Sequence, residues 1–416
     1  MIQRKHYLDR LIAFKDKQFI KVVTGVRRCG KSTLFELYID YLKSIGIGDH
    51  QIVQVNLEDI DYEELLDYKA LYHYISNKLK QDQFTYIFID EVQNCVGFEK
   101  AVDSLFIKKN VDVYITGSNA FMLSGELATL LSGRYVTIDM LPLSFREFAE
   151  VYKNVENVRM ETIFQEYLKY GAFPYVSTME RVDHTIKAYL QGIYTTILVK
   201  DIAMRENITD ITLLENIIKT VASSIGSPIS IKKISDTINS SGRKISVNTV
   251  DRYLRALCDS YIFYKVDRYD IKGRQYLKTL AKYYIVDTGL RTLLMAQSSE
   301  DFGHLLENVV FLELIRRGYK VNIGKLAERE IDFVVDVFDG IIYYQVAATV
   351  LDENTLRREL EPLQKIQDNH PKVLLTMDEI GAGSNYEGIR QINVLKWLME
   401  ERQMSVPNNR VNHRIH

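Results

Sequence analysis

Apolar and polar positions follow two rhythms along this chain, and the points where one gives way to the other mark its elements. Short β-branched apolar runs occupy residues 19–24, 51–57, 85–90, 112–116 and 135–140, the pattern of strands buried on both faces. Helical spacing fills the gaps between the first four, so this third of the chain predicts a parallel sheet covered on both sides. From Ser144 to about Asp210 the spacing is helical. It is broken at Gly171-Ala172-Phe173-Pro174 and closes at Asn207-Ile208-Thr209-Asp210, whose side chains can cap a new helix.

Beyond that boundary, residues 229–238 predict a short helix with Ile231, Ile234 and Ile238 on one face. Asn239-Ser240-Ser241-Gly242 predicts a turn. A second helix, capped by Asn248 or Ser246, carries Val250, Tyr253, Leu254 and Leu257 on one side and Arg252 and Arg255 on the other. Strand-like runs at 261–268 and 282–286 flank Lys272-Gly273-Arg274, and the whole is the outline of a winged helix. After Ser298-Ser299-Glu300-Asp301 the pattern predicts a helix at 304–317, strands at 319–323, 331–338 and 341–346, a helix at 353–367 and a strand at 372–376. A polar tail at 406–416 is expected to be disordered.

Two motifs carry chemistry. Gly25-Val26-Arg27-Arg28-Cys29-Gly30-Lys31-Ser32 spells G-x-x-x-x-G-K-S between a predicted strand and a predicted helix, the order that aims backbone N–H groups and a helix N-terminus at a polyphosphate. Gly25 and Gly30 are expected to let the backbone approach the phosphates. Lys31 is expected at the β- and γ-phosphates and the Ser32 hydroxyl in a Mg²⁺ shell. Arg28 and Thr33 are further candidate nucleotide contacts. About sixty residues on, a buried strand ends in Asp90-Glu91. Asp90 suits a Mg²⁺ ligand and Glu91 suits the group that polarises attacking water. The fourth strand ends in Thr116-Gly117-Ser118-Asn119, where Ser118 or Asn119 is a candidate sensor of the terminal phosphate. Asn56, near the end of the second strand, is a candidate partner holding Glu91.

Length and composition narrow the class. The 416 residues, 46% apolar, suffice for two to four domains. No stretch approaches a membrane span of about 18–20 apolar residues, and the N-terminus has no signal-peptide core. Three cysteines, Cys29, Cys95 and Cys258, make no disulfide framework and fit a reducing cytoplasm. There is no zinc spacing and no G-x-S-x-G. Residues 212–291 hold 14 Lys and Arg against 7 Asp and Glu, a local +7 in a chain of net −2. A basic module within an acidic chain points to a polyanionic partner.

Through about residue 405 the chain resembles the bacterial and archaeal AAA-type ATPases with a winged helix and a C-terminal domain of unknown function. The residues that carry this are the glycine loop, Phe88-Ile89-Asp90-Glu91-Val92-Gln93, Thr116-Gly117-Ser118-Asn119, Pro142-Leu143-Ser144-Phe145-Arg146-Glu147-Phe148 and Tyr283-Tyr284-Ile285-Val286-Asp287-Thr288-Gly289-Leu290-Arg291. The resemblance implies an α/β P-loop AAA-type ATPase core (1–143), a helical lid (144–210), a winged helix (211–298) and a C-terminal α/β domain resembling restriction endonucleases (299–405). It implies Gly171 and Pro174 near the nucleotide base and makes Arg134 a candidate phosphate-sensing arginine, with a surface ion pair as the other reading. In the endonuclease-like fold Glu307 and Asp332 fit the acidic positions, but Gln345-Val346-Ala347 stands where Glu-x-Lys is needed.

The expected function is therefore a cytoplasmic ATPase using ATP and Mg²⁺, with double-stranded DNA or a protein as partner, oligomerisation open, and a C-terminal domain without nuclease activity. The rivals are a DNA-binding regulator for which ATP is a slow structural switch, and a metal-dependent nuclease.

Overall fold

The computed structural model describes residues 2–400, apart from 81, 121–130, 132, 154, 156, 241, 243, 296–300 and 339 and the side chains of 278 and 279. Ser132, Ser241, Ser298-Ser299-Glu300 and the expected tail lie outside the described residues. The chain forms two compact units, Met1–Arg268 with Tyr276–Asn308, and Tyr269–Gln275 with Val309–His416.

In the first unit, helix α1 (Lys5–Ala13) precedes strand β1 (Ile20–Thr24), helix α2 (Lys31–Ser44), β2 (Ile52–Asn56), α3 (Tyr68–Lys78), β3 (Thr85–Asp90), α4 (Phe98–Phe106), β4 (Val111–Gly117) and β5 (Tyr135–Asp139). The strands lie parallel in the order β2-β3-β4-β1-β5. One face packs Ile20, Val22, Ile87, Ile89, Val113 and Ile115 against Leu71, Ile75, Val102 and Leu105 of α3 and α4. The other is aromatic: Phe35 and Tyr38 of α2 meet Phe88 of β3 and Tyr114 of β4, with ring centroids 4.8–6.5 Å apart. Both faces exclude water, which is why these strands are continuous apolar runs rather than alternating ones. Because β4 inserts between β1 and β3, its carboxyl end separates the glycine loop from the acidic pair.

The helical stretch comes next as α5 (Phe145–Ala149), α6 (Met160–Tyr170), α7 (Pro174–Thr178) and α8 (Asp183–Thr196), which runs on into a wide, π-type turn at Ile197–Ala203. Ser144 and Glu147 cap α5 reciprocally. Then come α9 (Ile211–Ser223), α10 (Ile231–Ser240), α11 (Val247–Asp259) and the hairpin β6 (Phe263–Asp270) and β7 (Gln275–Ile285). Ser246, not Asn248, caps α11 by accepting from the Thr249 N–H. The second hairpin strand begins seven residues before its apolar run at 282–286, since ladder hydrogen bonds extend it through polar residues.

Helix α12 (Thr288–Leu294) is capped by Asp287, whose carboxylate accepts from Leu290 N at 3.0 Å and from Ala172 N at 2.6 Å. At Gly171, φ is +80° and a Cβ would lie 2.2 Å from that carboxylate, so the helix break at 171–174 closes onto this cap.

Helix α13 (Phe302–Arg316) contributes to both units. The second unit adds β8 (Lys320–Leu326), β9 (Arg329–Val337), β10 (Gly340–Ala347), α14 (Glu353–Gln364), β11 (Lys372–Thr376), β12 (Asn385–Tyr386), β13 (Ile389–Asn393) and α15 (Val394–Met399). Its strands lie in the order β12-β13-β11-β10-β9-β8. The hydrophobic pattern does not announce the last three elements, because they are short, two to six residues each. Tyr269–Gln275, the tip of the β6–β7 hairpin, clusters with this unit. Ile271 N donates to Lys325 O at 2.9 Å, and the Ile271 side chain joins the core around Ile331 and Leu363. Among the described residues no helix is long and apolar enough to cross a membrane.

Candidate functional site

The glycine loop leaves the end of β1 and turns into α2. Gly25 is required for a reason other than ligand approach: a Cβ there would lie 2.1 Å from the Met140 carbonyl, whose own N–H binds Thr24 O at 2.7 Å. Gly30, with φ +102°, is the N-cap of α2 and needs its conformation rather than its space, for a Cβ would meet Met140, Pro174 and Arg4 side chains at ordinary distances. That geometry aims the first N–H groups of α2 into the loop.

Lys31 opens the helix and is buried. Its Nζ donates to Gly25 O at 3.2 Å and Val26 O at 3.5 Å and lies 3.3 Å from Glu91 Oε1. Burial disfavours its charge, yet the Glu91, Cys29 and Asp90 side chains together hold its pKa above the ordinary lysine value. The ammonium is charged and waiting.

The acidic pair stands at the end of β3. Burial raises the Asp90 pKa above the usual carboxylate range, against hydrogen bonds from the Ser32 and Thr116 hydroxyls that lower it. Ser32 and Asp90, the two expected magnesium ligands, are thus neighbours, and both offer the oxygen ligands a hard cation takes. Glu91 sits in the left-handed region at φ +50°, its N–H bound to Thr116 Oγ1 at 2.9 Å. Burial pushes its carboxyl upward, but Lys31, Gln93, Arg27 and Ser118 outweigh that, and its pKa falls below the ordinary value.

Gln93 is a site residue that pattern reading missed. Its Nε2 donates to Glu91 Oε2 at 2.5 Å and to Ser118 Oγ at 3.3 Å. The expected partner, Asn56, instead accepts from the Glu58 N–H at 3.0 Å. The correction is geometric: the side chain two residues beyond Glu91, in the turn leaving β3, points back at its carboxylate. Of the strand-end pair, Ser118 joins this network, and Asn119 is buried at the same strand end.

Three more contacts shape the loop. Arg27 pairs with Asp201 and Glu58. Arg4, missed because no motif surrounds it, donates to Cys29 O at 2.9 Å, Leu141 O at 2.6 Å and Glu147 Oε1 at 3.1 Å, tying the N-terminal segment to the loop. Pro174 Cγ lies 3.6 Å from the position of a Gly30 Cβ, which sets residue 174 beside the loop. Gly171 itself faces Asp287. Arg28, at φ +68°, is exposed, and Thr33 is half-buried in the first turn of α2.

Arg134 is not brought to this site. It precedes β5, its carbonyl accepts from Ile20 N at the start of β1, and its guanidinium pairs with Asp103 and lies over Phe106. The glycine loop leaves the opposite end of β1. The surface ion pair is the reading this placement matches, and any phosphate contact of Arg134 would have to be with another molecule.

The C-terminal acidic residues have other partners too. Glu307 accepts from Lys282 Nζ at 2.9 Å and Tyr284 Oη at 2.6 Å. Asp332 Oδ2 accepts from Val346 N at 2.8 Å, and Gln345 Nε2 donates to Glu359 Oε2 at 3.0 Å. Among the described residues no group of three His, Cys, Asp or Glu side chains is placed to hold a metal ion.

Comparison with known proteins decides the broader class. The chain is 43% identical over 404 residues to an uncharacterized protein of Haemophilus influenzae, covering 96% of this chain and 99% of that one. It is 30% identical over 336 residues to an uncharacterized protein of Methanocaldococcus jannaschii, covering 76% and 72%. The AAA domain family matches residues 17–149, and a domain of unknown function (DUF8612) matches 161–301.

The chain belongs to the family of these two proteins, with an AAA-type ATPase domain at its N-terminal end.

A Walker-type ATPase of Pyrococcus abyssi shares the fold of this AAA protein, with a TM-score of 0.51 at 13% identity over 71% of this chain and 96% of that one. The Haemophilus influenzae relative spans both units of the AAA protein in sequence, so the region beyond the AAA domain is as much part of the family as the loop itself.

Proposed function

We propose that this AAA protein binds ATP with Mg²⁺ and hydrolyses it, and that turnover drives a change passed to a DNA-contacting winged helix. The observation that carries the reading is the buried ion pair between Lys31 and Glu91, 3.3 Å apart at the N-terminus of α2, with Ser32 and Asp90 as neighbours. Two opposite charges held out of water at a phosphate cradle are poised to separate when a polyphosphate supplies Lys31 with a better partner.

Lys31 and the first N–H groups of α2 would then hold the phosphates, and Ser32 and Asp90 would hold the metal. Mg²⁺ would offset charge on the phosphate oxygens. Glu91, freed from Lys31 and steadied by Gln93, orients the attacking water and takes its proton. Ser118 or Asn119 reports the terminal phosphate.

Helices α9, α10 and α11 leading into the β6–β7 hairpin support the winged-helix reading, with module limits of about 144–210 for the lid and 211–298 for the wing. Arg252 and Arg255 are on α11, and Lys272 and Arg274 are exposed at the hairpin tip. The mixed sheet of the second unit supports an endonuclease-like fold whose third position is Gln345 and Ala347, unable to charge-stabilise a metal-bound hydroxide.

A slower switch is the second reading, favoured by the double lock of Lys31 and Gln93 on Glu91. ATP turnover of the purified chain, with and without duplex DNA and for Lys31→Ala, tests both: DNA-stimulated turnover lost in Lys31→Ala supports the ATPase, whereas tight ATP binding with negligible turnover under either condition supports the switch.

A further inference from the structure

The least expected contact in the first unit belongs to Arg27, third residue of the glycine loop. Its Nε lies 3.1 Å from Asp201 Oδ2, its Nη2 lies 3.0 Å from Asp201 Oδ1, and its Nη1 lies 2.6 Å from Glu58 Oε1. All three nitrogens are therefore taken by two carboxylates from distant segments. Glu58 stands two residues past β2, and Asp201 lies in the wide turn Ile197–Ala203 that ends the lid helix α8. Such turns inside helices are frequent at functional sites. The Arg27 and Asp201 side chains are 13% and 9% exposed.

The charges do not suit a bound triphosphate as they stand. Asp90, Glu91, Asp201 and Glu58 lie around a loop in which Lys31 and Arg27 are both paired with carboxylates of this group, while Arg4, the other cation at the loop, is held by Cys29 O, Leu141 O and Glu147. Asp201 feels both Lys31 and Glu91, and Glu91 in turn feels Arg27, so these groups share one electrostatic neighbourhood. A polyphosphate entering at Lys31 brings several negative charges towards Asp201. A guanidinium fork fits phosphate oxygens as well as it fits a carboxylate. The side nearest Glu91 is where water attacks, hence where the terminal phosphate lies.

We propose that Arg27 exchanges Asp201 for the terminal phosphate of a bound nucleoside triphosphate, so that this arginine tells triphosphate from diphosphate and frees the 197–203 turn of the lid. The proposal rests on the nucleotide-binding reading of the loop. Diphosphate leaves the Arg27–Asp201 pair closed; triphosphate opens it.

The test is calorimetric titration of the full chain with Mg²⁺ and either ADP or a non-hydrolysable ATP analogue, for wild type, Arg27→Ala, Arg27→Lys, Asp201→Asn and Lys31→Ala. Arg27→Ala should lower the preference for the analogue over ADP by about tenfold, the factor equivalent to about 1.4 kcal/mol. Arg27→Lys should fall between the two. Asp201→Asn, nearly isosteric, removes the competitor and should raise the preference. A purely structural tether would be cut by either change, so effects of the same sign, or an unchanged preference in both, overturn the proposal. Retained preference in Arg27→Ala beside lost binding in Lys31→Ala would remove this proposal alone. Absence of nucleotide binding by wild type would remove the site reading with it.

Discussion

Replacing Glu91 with Gln separates what this carboxylate does at rest from what it does in turnover. At rest it is the counter-charge of buried Lys31, with the two side chains 8% and 3% exposed. Breaking a buried pair by removing one partner costs about 3–5 kcal/mol. The amide oxygen keeps one acceptor for Lys31, so the lower end applies, roughly 3 kcal/mol, or about 6 °C at about 2 °C per kcal/mol for a domain of this size. The ligand-free melting temperature of Glu91→Gln should fall by that order. Added ATP should then stabilise the variant more than wild type, because Lys31 no longer has to be drawn from a carboxylate before it meets phosphate. Turnover should fall by about 10²–10⁴, the range for loss of a positioned general base. The pH dependence has a definite sign. The folded pKa of Glu91 lies below its ordinary 4.5, so the pair stabilises the wild type above that pH and the contribution fades as pH falls through the lower folded value. The variant should lack this acid-side loss. Melting curves with and without ATP, together with a phosphate-release assay, read all of these outcomes. Wild-type turnover in Glu91→Gln would refute the assignment of Glu91 as base. An unchanged ligand-free melting temperature would refute the reasoning about the ion pair.

Three further outcomes are expected elsewhere in the molecule. Burial raises the Asp287 carboxyl to about 6 against an ordinary 3.8, so its contribution to stability is complete below 3.8 and is lost as pH rises through about 6; the difference is about 3 kcal/mol, and melting of Asp287→Asn between pH 4 and 7 should lack that slope. If Arg252, Arg255, Lys272 and Arg274 meet phosphates, duplex DNA affinity should fall steeply with salt, and charge removal at Lys272 and Arg274 should flatten the slope by about one unit per contact; no binding at low salt, with or without ATP, would favour a protein-docking role. The second unit should not cleave DNA with Mg²⁺ or Mn²⁺, because Gln345 is bonded to Glu359 and Ala347 offers no cation; metal-dependent nicking abolished by Asp332→Ala would contradict this.

Much of the candidate site was legible because its residues are local in sequence. A glycine loop between a strand and a helix, and a carboxylate pair at a strand end, take their shape from adjacent backbone, so Lys31, Ser32, Asp90 and Glu91 could be named from spacing alone. Strand periodicity likewise placed all five strands of the parallel sheet, since burial on both faces writes continuous apolar runs, but it did not show the helices Lys5–Ala13 and Thr288–Leu294. Partnerships across the fold left no such trace. Gln93 rather than Asn56 holds Glu91 because a turn after β3 bends back on itself. Gly25 is glycine because of the Met140 carbonyl, and Arg27 reaches Asp201 across 174 positions of sequence. Arg134 looked like a phosphate sensor by its neighbours in the chain, yet the parallel pairing of β5 with β1 sets it at the far end of the sheet, beside Asp103. Periodicity reports which face of an element is buried; which charged side chain meets which is decided only when strand order and helix packing bring distant segments together, because an ion pair depends on a few ångströms of separation and not on any local pattern of residues.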